Sequence, residues 1–480
     1  MHTRLSGPLL ALTLLTLAGP ARASATPDIL AAAGLGDELG GEPVALDLAA
    51  DGTTLLLARD AQGRGAVLRL DPLGAPSGAV RPLSGRAEDL AVDRRTGNLA
   101  VVGDAELALF DPGLAPLWQR PLPPRRADEP ARRVAVGELG RVAALAANEL
   151  HSFSPAGHAL GRVALVDQAR DLAVVDAVGV VVVTGSLRRS ACERPLDVAT
   201  LAAFAFDGAP RWRALEDVDL DVRCEREDLA GARGVAVARG EDGNIYLLAE
   251  VDGAANQFRG PPGQPATNVA FDTYTAPEPG QAALYAYYAR YTADGEHLLG
   301  QYFALPDAGS VVRPRAIAAD LHGNVHLTGV ASHSLGAADE QLRSERLAAP
   351  AGFYQVVEPD LEARRVWHQL EADDAPTELS ALAIADDRAV ALLHVAAAPG
   401  RPHAGPLPTG PSLLLWSGQH GPVDVEKRPD PETQGTFGYE SGVSGSDPSC
   451  HCDAHAPPSS ARLTLGMFAL AGLSRPRRRA

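Results

Sequence analysis

Lysine, cysteine and aromatic residues are scarce in this 480-residue chain, which has one Lys (Lys427), four Cys and 5% Phe, Trp and Tyr. Four cysteines are too few for a disulfide-dense scaffold, so apolar packing must hold the fold. Basic charge is short as well: the formal net charge is −17, and it grows more negative once the arginines near the two ends are set aside. An acidic surface repels phosphate backbones and anionic headgroups, which excludes nucleic acid as a natural partner and leaves divalent cations or basic ligands. No stretch keeps a helical period, and 38 Pro with 48 Gly leave little room for long helices. The motifs His-Glu-x-x-His, Gly-x-Ser-x-Gly and Gly-x-x-x-x-Gly-Lys are missing, so no catalytic residue is assigned.

The two ends carry sorting information. Arg4, the apolar stretch Pro8–Ala18 and the small-x-small sites Ala21-Arg22-Ala23 and Ala23-Ser24-Ala25 read as a secretory signal peptide over residues 1–25, cleaved after Ala23 or Ala25. Export to an oxidising compartment makes a disulfide between Cys192 and Cys224 the default expectation. Closing that loop stabilises a fold by about 3–4 kcal/mol in the chain-entropy model. Two free buried thiols are the other reading.

At the C-terminus Cys450-His451-Cys452, a Pro/Ser spacer, the apolar run Leu463–Leu473 and Arg475-Pro476-Arg477-Arg478-Arg479 follow in order. The apolar run would extend about 16 Å as a helix, whereas a bilayer core is about 30 Å thick, so it reads as a transient insertion signal rather than an anchor. This order resembles the myxobacterial C-terminal sorting tail. The resemblance implies a processing protease as partner, retention of a modified Cys450 or Cys452, and association with the cell envelope or outer surface, with some of the protein released. A frayed basic terminus and a metal site of Cys450, His451, Cys452 and His455 are the alternatives; the second lacks the usual paired half.

Between the ends runs a degenerate repeat: an apolar strand, a turn with Asp, Gly or Asn, a second strand, a variable loop, a third strand, an Asp-Gly or Asp-Pro turn, and a fourth strand often holding Trp. Clear copies include DLAVDRRTGNLAVVGD from Asp89, DLAVVDAVGVVVVTGS from Asp171, GVAVARGEDGNIYLLAE from Gly234 and AIAADLHGNVHLTG from Ala316. Unit starts at Leu46, Leu90, Val134, Leu172, Val235, Ile317 and Leu382 give seven units, spaced by 38 to 82 residues. Alternating apolar residues fit the period of two, and the pairs at Asp51-Gly52, Gly97-Asn98, Asp207-Gly208, Asp242-Gly243, Asp294-Gly295 and Gly323-Asn324 supply the positive φ that tight hairpins need. The run Val180–Val183 suits an inner strand covered on both faces.

The segment Gly323-Asn324-Val325-His326-Leu327-Thr328-Gly329 is similar to the bacterial β-propeller repeat of secreted and surface proteins. That resemblance implies an all-β, seven-bladed β-propeller of four-stranded antiparallel blades over residues 26–426, a platform for binding and display. Residues 427–449 read as a flexible tether, about 25 Å in r.m.s. length, and 450–480 as the sorting tail.

Candidate sites follow from the surplus sequence. The insertion 186–200, with Arg188, Arg189 and Cys192, and the segment Asp252–Gln281, with Phe258, Phe271 and Tyr274, read either as binding loops or as tolerated insertions. Trp118, Trp212 and Trp367 recur at one position and are expected to pack blade against blade. Asp217, Asp219, Asp221, Glu225, Glu227 and Asp228 form a weak candidate for Ca²⁺, set against a solvated acidic loop, because the Gly and terminal Glu of a calcium loop are missing. No other cofactor is expected. The expected function is a non-catalytic binding or display module for an unidentified surface ligand or polymer. The alternative is a metal-dependent hydrolase or lactonase using the central channel.

Overall fold

Short apolar runs separated by Asp- and Gly-bearing turns fold into 28 strands, with no helix among the described residues. A computed structural model describes residues 41–417 apart from short stretches, the longest being 218–230, 259–283, 334–345 and 396–409. All lie in the first of two units, Met1–Gly438.

The strands form successive antiparallel sheets in chain order. The first has β1 (Gly41–Leu48), β2 (Thr54–Asp60), β3 (Gly65–Leu70) and β4 (Arg81–Pro82); the second β5 (Ala87–Val92), β6 (Leu99–Gly103), β7 (Glu106–Phe110) and β8 (Pro116–Pro121). The third has β9 (Arg133–Val136), β10 (Val142–Ala146), β11 (Glu149–Phe153) and β12 (Ala159–Ala164). In the fourth, β13 (Gln168–Val175), β14 (Val180–Ala191), β15 (Arg194–Ala205) and β16 (Pro210–Asp217) are followed by a short fifth strand. The fifth sheet has β17 (Gly231–Arg239) and β18 (Ile245–Asp252), then, after that short strand β19 (Gln257–Phe258) has crossed to β16, β20 (Leu284–Tyr291) and β21 (His297–Phe303). The sixth has β22 (Val312–Ala319), β23 (Val325–His333), β24 (Arg346–Val357) and β25 (Arg364–Leu370); the last has β26 (Thr377–Ala385), β27 (Arg388–Val395) and β28 (Gly410–Ser417).

The protein is an all-β propeller of four-stranded antiparallel blades. Six blades are complete, against the seven expected; the unit that starts at Leu382 is a three-stranded sheet among the described residues. Every expected unit start falls within the first strand of its sheet. First strands of consecutive sheets pack side by side around the centre, and β26 packs back on β1.

Local chemistry explains the hairpins. All six glycines of the Asp-Gly and Gly-Asn pairs have positive φ, from 73° to 89°, and carboxylates of Asp51, Asp93 and Asp320 accept the amide two residues on (2.9, 3.0 and 2.9 Å), the Asx turn that Asp favours. Val180–Val183 is buried, as its composition requires. Apolar side chains gather in clusters that each span two neighbouring sheets, such as Val182, Leu247 and Tyr287 between the fourth and fifth, and Leu48, Leu56 and Leu392 between the last and the first. Stability is thereby distributed over the junctions rather than held in one centre.

Two tryptophans tie junctions at the periphery. Trp118 on β8 donates its Nε1–H to the Pro155 carbonyl of the next sheet (2.9 Å), and Trp212 on β16 does the same to Ala293 (2.9 Å). Each ring lies on a turn glycine of positive φ, Gly157 (77°) or Gly295 (85°), where an added Cβ would stand 2.8 or 2.5 Å from the ring. Trp367 occupies the matching outer strand, β25.

The insertion 186–200 is a correction to the loop expected from sequence: β14 and β15 stay paired from Ser186↔Ala199 out to Ala191↔Arg194, so it is a hairpin arm. Of Asp252–Gln281, β19 reaches back to pair with β16 at Glu216↔Phe258. Ala23, Ala25, Cys192, Cys224, Cys450, Cys452, the tether, the tail and the acidic residues 219–228 lie outside the described residues.

Trp118→Ala is expected to cost roughly 3–5 kcal/mol, the scale of removing a buried aromatic, and Gly157→Ala to destabilise through both the ring clash and its φ. Urea denaturation checks both; a loss below about 1 kcal/mol for either would contradict the docking role.

Candidate functional site

The innermost strand of each sheet hydrogen-bonds to its neighbour on one side only. Its other edge faces the central channel, and its amides there need partners from outside the sheet. Three aspartates supply a partner for one such amide each. Asp47 on β1 accepts from the Val92 amide of the second sheet (2.8 Å), Asp89 on β5 from Val134 of the third (3.0 Å), and Asp171 on β13 from Val237 of the fifth (2.9 Å). Each carboxylate thus latches its own blade to the next.

A β-bulge sets their positions. In six sheets the first strand carries one extra residue against the second, for example between Ala87 and Asp89 and between Ala169 and Asp171; bulges re-aim the side chains that follow them. The residue after the bulge is Asp89 in the second sheet, Asp171 in the fourth, and Ala45, Ala236, Ala316 and Ala381 in the other four. In the third sheet, whose pairing shows no bulge, Arg133 holds the matching register, opposite Leu145 as Asp89 is opposite Val102. Two residues further along every inner strand stands alanine, except in the first sheet, where it is Asp47. The channel wall is therefore mostly methyl groups, with one Asp–Arg–Asp arc.

Depth controls the charges. Removal from water pushes the Asp89 carboxyl up to about 7 and Asp171 up to about 6; Arg133 opposes both shifts, and the charge of Asp171 adds to that of Asp89. Burial raises Asp47 as well, against the pull of Arg94. All three keep part of their surface open to the channel.

The end of the channel at the first hairpin turns is crossed by long side chains. Arg94 of the second sheet pairs with Glu241 of the fifth (3.9 Å) and donates to the Ile384 carbonyl of the last sheet, while Arg239 of the fifth pairs with Glu138 of the third (2.6 Å). Exposed pairs of this kind contribute little stability singly, but they place charged side chains across this end of the ring.

Other polar networks sit inside the blades. His326 on β23 shares hydrogen bonds with the Tyr354 hydroxyl (2.7 Å) and Asp320 (3.3 Å), and Asp320 also takes the Asn324 amide (2.7 Å). His326 and Tyr354 are almost wholly buried, so this Asp–His–Tyr chain has no surface on which to meet a substrate; it fixes the turn, and burial lowers the His326 pKa. Burial likewise depresses His297, bonded to Tyr287 (3.1 Å), to about 4. Arg132 is enclosed and bonds to the Gly103 and Pro123 carbonyls (3.0 and 2.5 Å), with Glu129 at 3.3 Å.

No group of three or more His, Cys, Asp or Glu that could hold a metal ion occurs among the described residues. Sequence reasoning missed Asp47, Asp89, Arg133 and Asp171. The available signal was an Asp placed directly before the Leu of an apolar inner strand, at Asp47-Leu48, Asp89-Leu90 and Asp171-Leu172. No protein-family model matches the chain, and no curated protein matches it either.

The latch has a pH signature. Unfolded, Asp89 gives up its proton near 3.8; folded, it holds it to about 7. Its contribution to stability is complete below about pH 4 and is lost as the pH rises through 7. Asp89→Asn keeps the acceptor for Val134 without the charge, so its stability relative to the parent should rise between pH 4 and 7. Denaturant titrations at a series of pH values measure this; parallel pH profiles would contradict it.

Proposed function

We propose that this chain is an exported, seven-bladed β-propeller, tethered at the cell surface through its C-terminus, which binds a surface ligand or polymer and catalyses no reaction. One observation carries the binding reading. In an up-and-down sheet the link between second and third strands leaves at the end opposite the first hairpin turn, and in the first three sheets that link is short: residues 61–64, 104–105 and 147–148. In the remaining sheets it grows into the β14–β15 arm, the stretch between β18 and β20 that contains β19, and the stretches between β23 and β24 and between β27 and β28. The long links between second and third strands thus all leave at one end of the ring and belong to four consecutive sheets, and long connections on a rigid frame are where binding usually occurs.

The seven-bladed count belongs to this proposal. The last sheet packs on the sheets to either side of it, as a seventh blade would. Export and tethering are supported by the order of residues at the two ends, and the channel carboxylates, engaged as latches, favour a binding role over hydrolysis.

Mass spectrometry of the mature protein from its own membrane fraction tests the sorting part. It should begin at Ser24 or Thr26 and end at a modified Cys450 or Cys452; an intact terminus at Ala480 would contradict it. Deleting Asp252–Gln281 should abolish retention on cell-surface extract. Undiminished retention, or a divalent ion held by acidic groups of three or more blades, would count against the binding reading.

A further inference from the structure

The neighbouring arginines Arg132 and Arg133 are in opposite states. Arg132 is enclosed and its guanidinium is taken up by two carbonyls and Glu129. Arg133 keeps part of its surface in the channel, and among the described residues no hydrogen bond or ion pair reaches its guanidinium, although Asp89 and Asp171 are close enough to feel its charge. A guanidinium carries five N–H donors in a rigid plane and stays charged at any physiological pH. Arg170, the extra residue of the bulge beside Asp171, is exposed and also free of such partners among the described residues.

The surroundings decide what could use these donors. On the far side of the same layer stand alanines, which offer no acceptor and little bulk. Asp89 and Asp171 each give one oxygen to a latch, and a carboxylate has lone pairs for further donors. The end at the first hairpin turns is crossed by the Arg94–Glu241 and Arg239–Glu138 pairs, whereas Arg170, exposed at the start of its strand, lies toward the end with the long connections.

We propose that Asp89, Arg133 and Asp171 form a binding site for a hydroxylated carboxylate of the sugar-acid class. The ligand carboxylate takes the fork of Arg133, and its neighbouring hydroxyls donate to Asp89 and Asp171. This names a ligand class for the binding module above and rests on that reading. A neutral sugar would leave the guanidinium unsatisfied, and a bare carboxylate would leave the aspartates unused, so the site selects for both features together.

Calorimetric titration of the purified mature protein with D-glucuronate, D-glucose and acetate tests it. Glucuronate should bind more tightly than either simpler probe, and Arg133→Lys, which keeps the charge balance of the arc but loses the planar fork, should weaken it by roughly tenfold or more. Asp171→Asn should weaken glucuronate without weakening acetate. Thermal unfolding of each variant identifies any that fail to fold, and Arg170→Gln then serves as the second probe of the same mouth, with weaker glucuronate binding expected. The proposal is overturned if glucuronate binds no better than acetate and glucose, or if a folded Arg133→Lys binds it as the parent does. Loss of glucuronate binding with retention on surface extract intact would sink this site alone. Turnover of glucuronate conjugates at this site would sink the non-catalytic reading instead.

Discussion

An inner strand with one unpaired edge is the constraint on which the propeller depends. The ring places these edges around a common centre, too far apart to pair with one another, so amides that a flat sheet would satisfy with another strand are left facing the channel. Asp47, Asp89 and Asp171 meet that demand across three junctions, each reaching one blade forward. The cost is electrostatic: carboxyls held in a narrow channel resist ionisation. Arg133 offsets this between two of them. The same residues that bind the ring together therefore give its centre an uneven charge.

Trp118 and Trp212 perform the matching task at the periphery. Each is held by one hydrogen bond to the next blade and by a glycine turn shaped to receive the ring. Junctions are thus fastened at the hub by polar contacts and at the rim by aromatic ones, with apolar clusters between. A rigid frame of this kind can carry long connections at one end without altering the strands below.

What could be read in the sequence was what local chemistry determines. Asp-Gly and Gly-Asn turns specify hairpins within a few residues, and Leu90, Val134 and Ile317 mark inner strands because a buried strand needs an unbroken apolar face. The recurring Trp was legible for a similar reason, since its partner is the turn of the next copy. The latches were not, because Asp47 meets an amide 45 residues on and Asp171 one 66 residues on, and a carboxylate inside an apolar strand looks the same whether it faces solvent or a neighbour. The arm at 186–200 was misread as a loop because its Arg, Ser and Pro content hides a pairing that simply continues β14 and β15. Arg133 was invisible until its register against Asp89 was known.

Amide hydrogen exchange at Val134 tests the central claim most directly. With its N–H held by Asp89, Val134 should exchange as slowly as the cross-strand amides of β9 and β10 and become fast in Asp89→Ala, while Val92 and Val237, latched by other aspartates, stay protected. Rapid exchange at Val134 in the parent protein, or protection that survives Asp89→Ala, would contradict the account of carboxylates as the fastening of the hub.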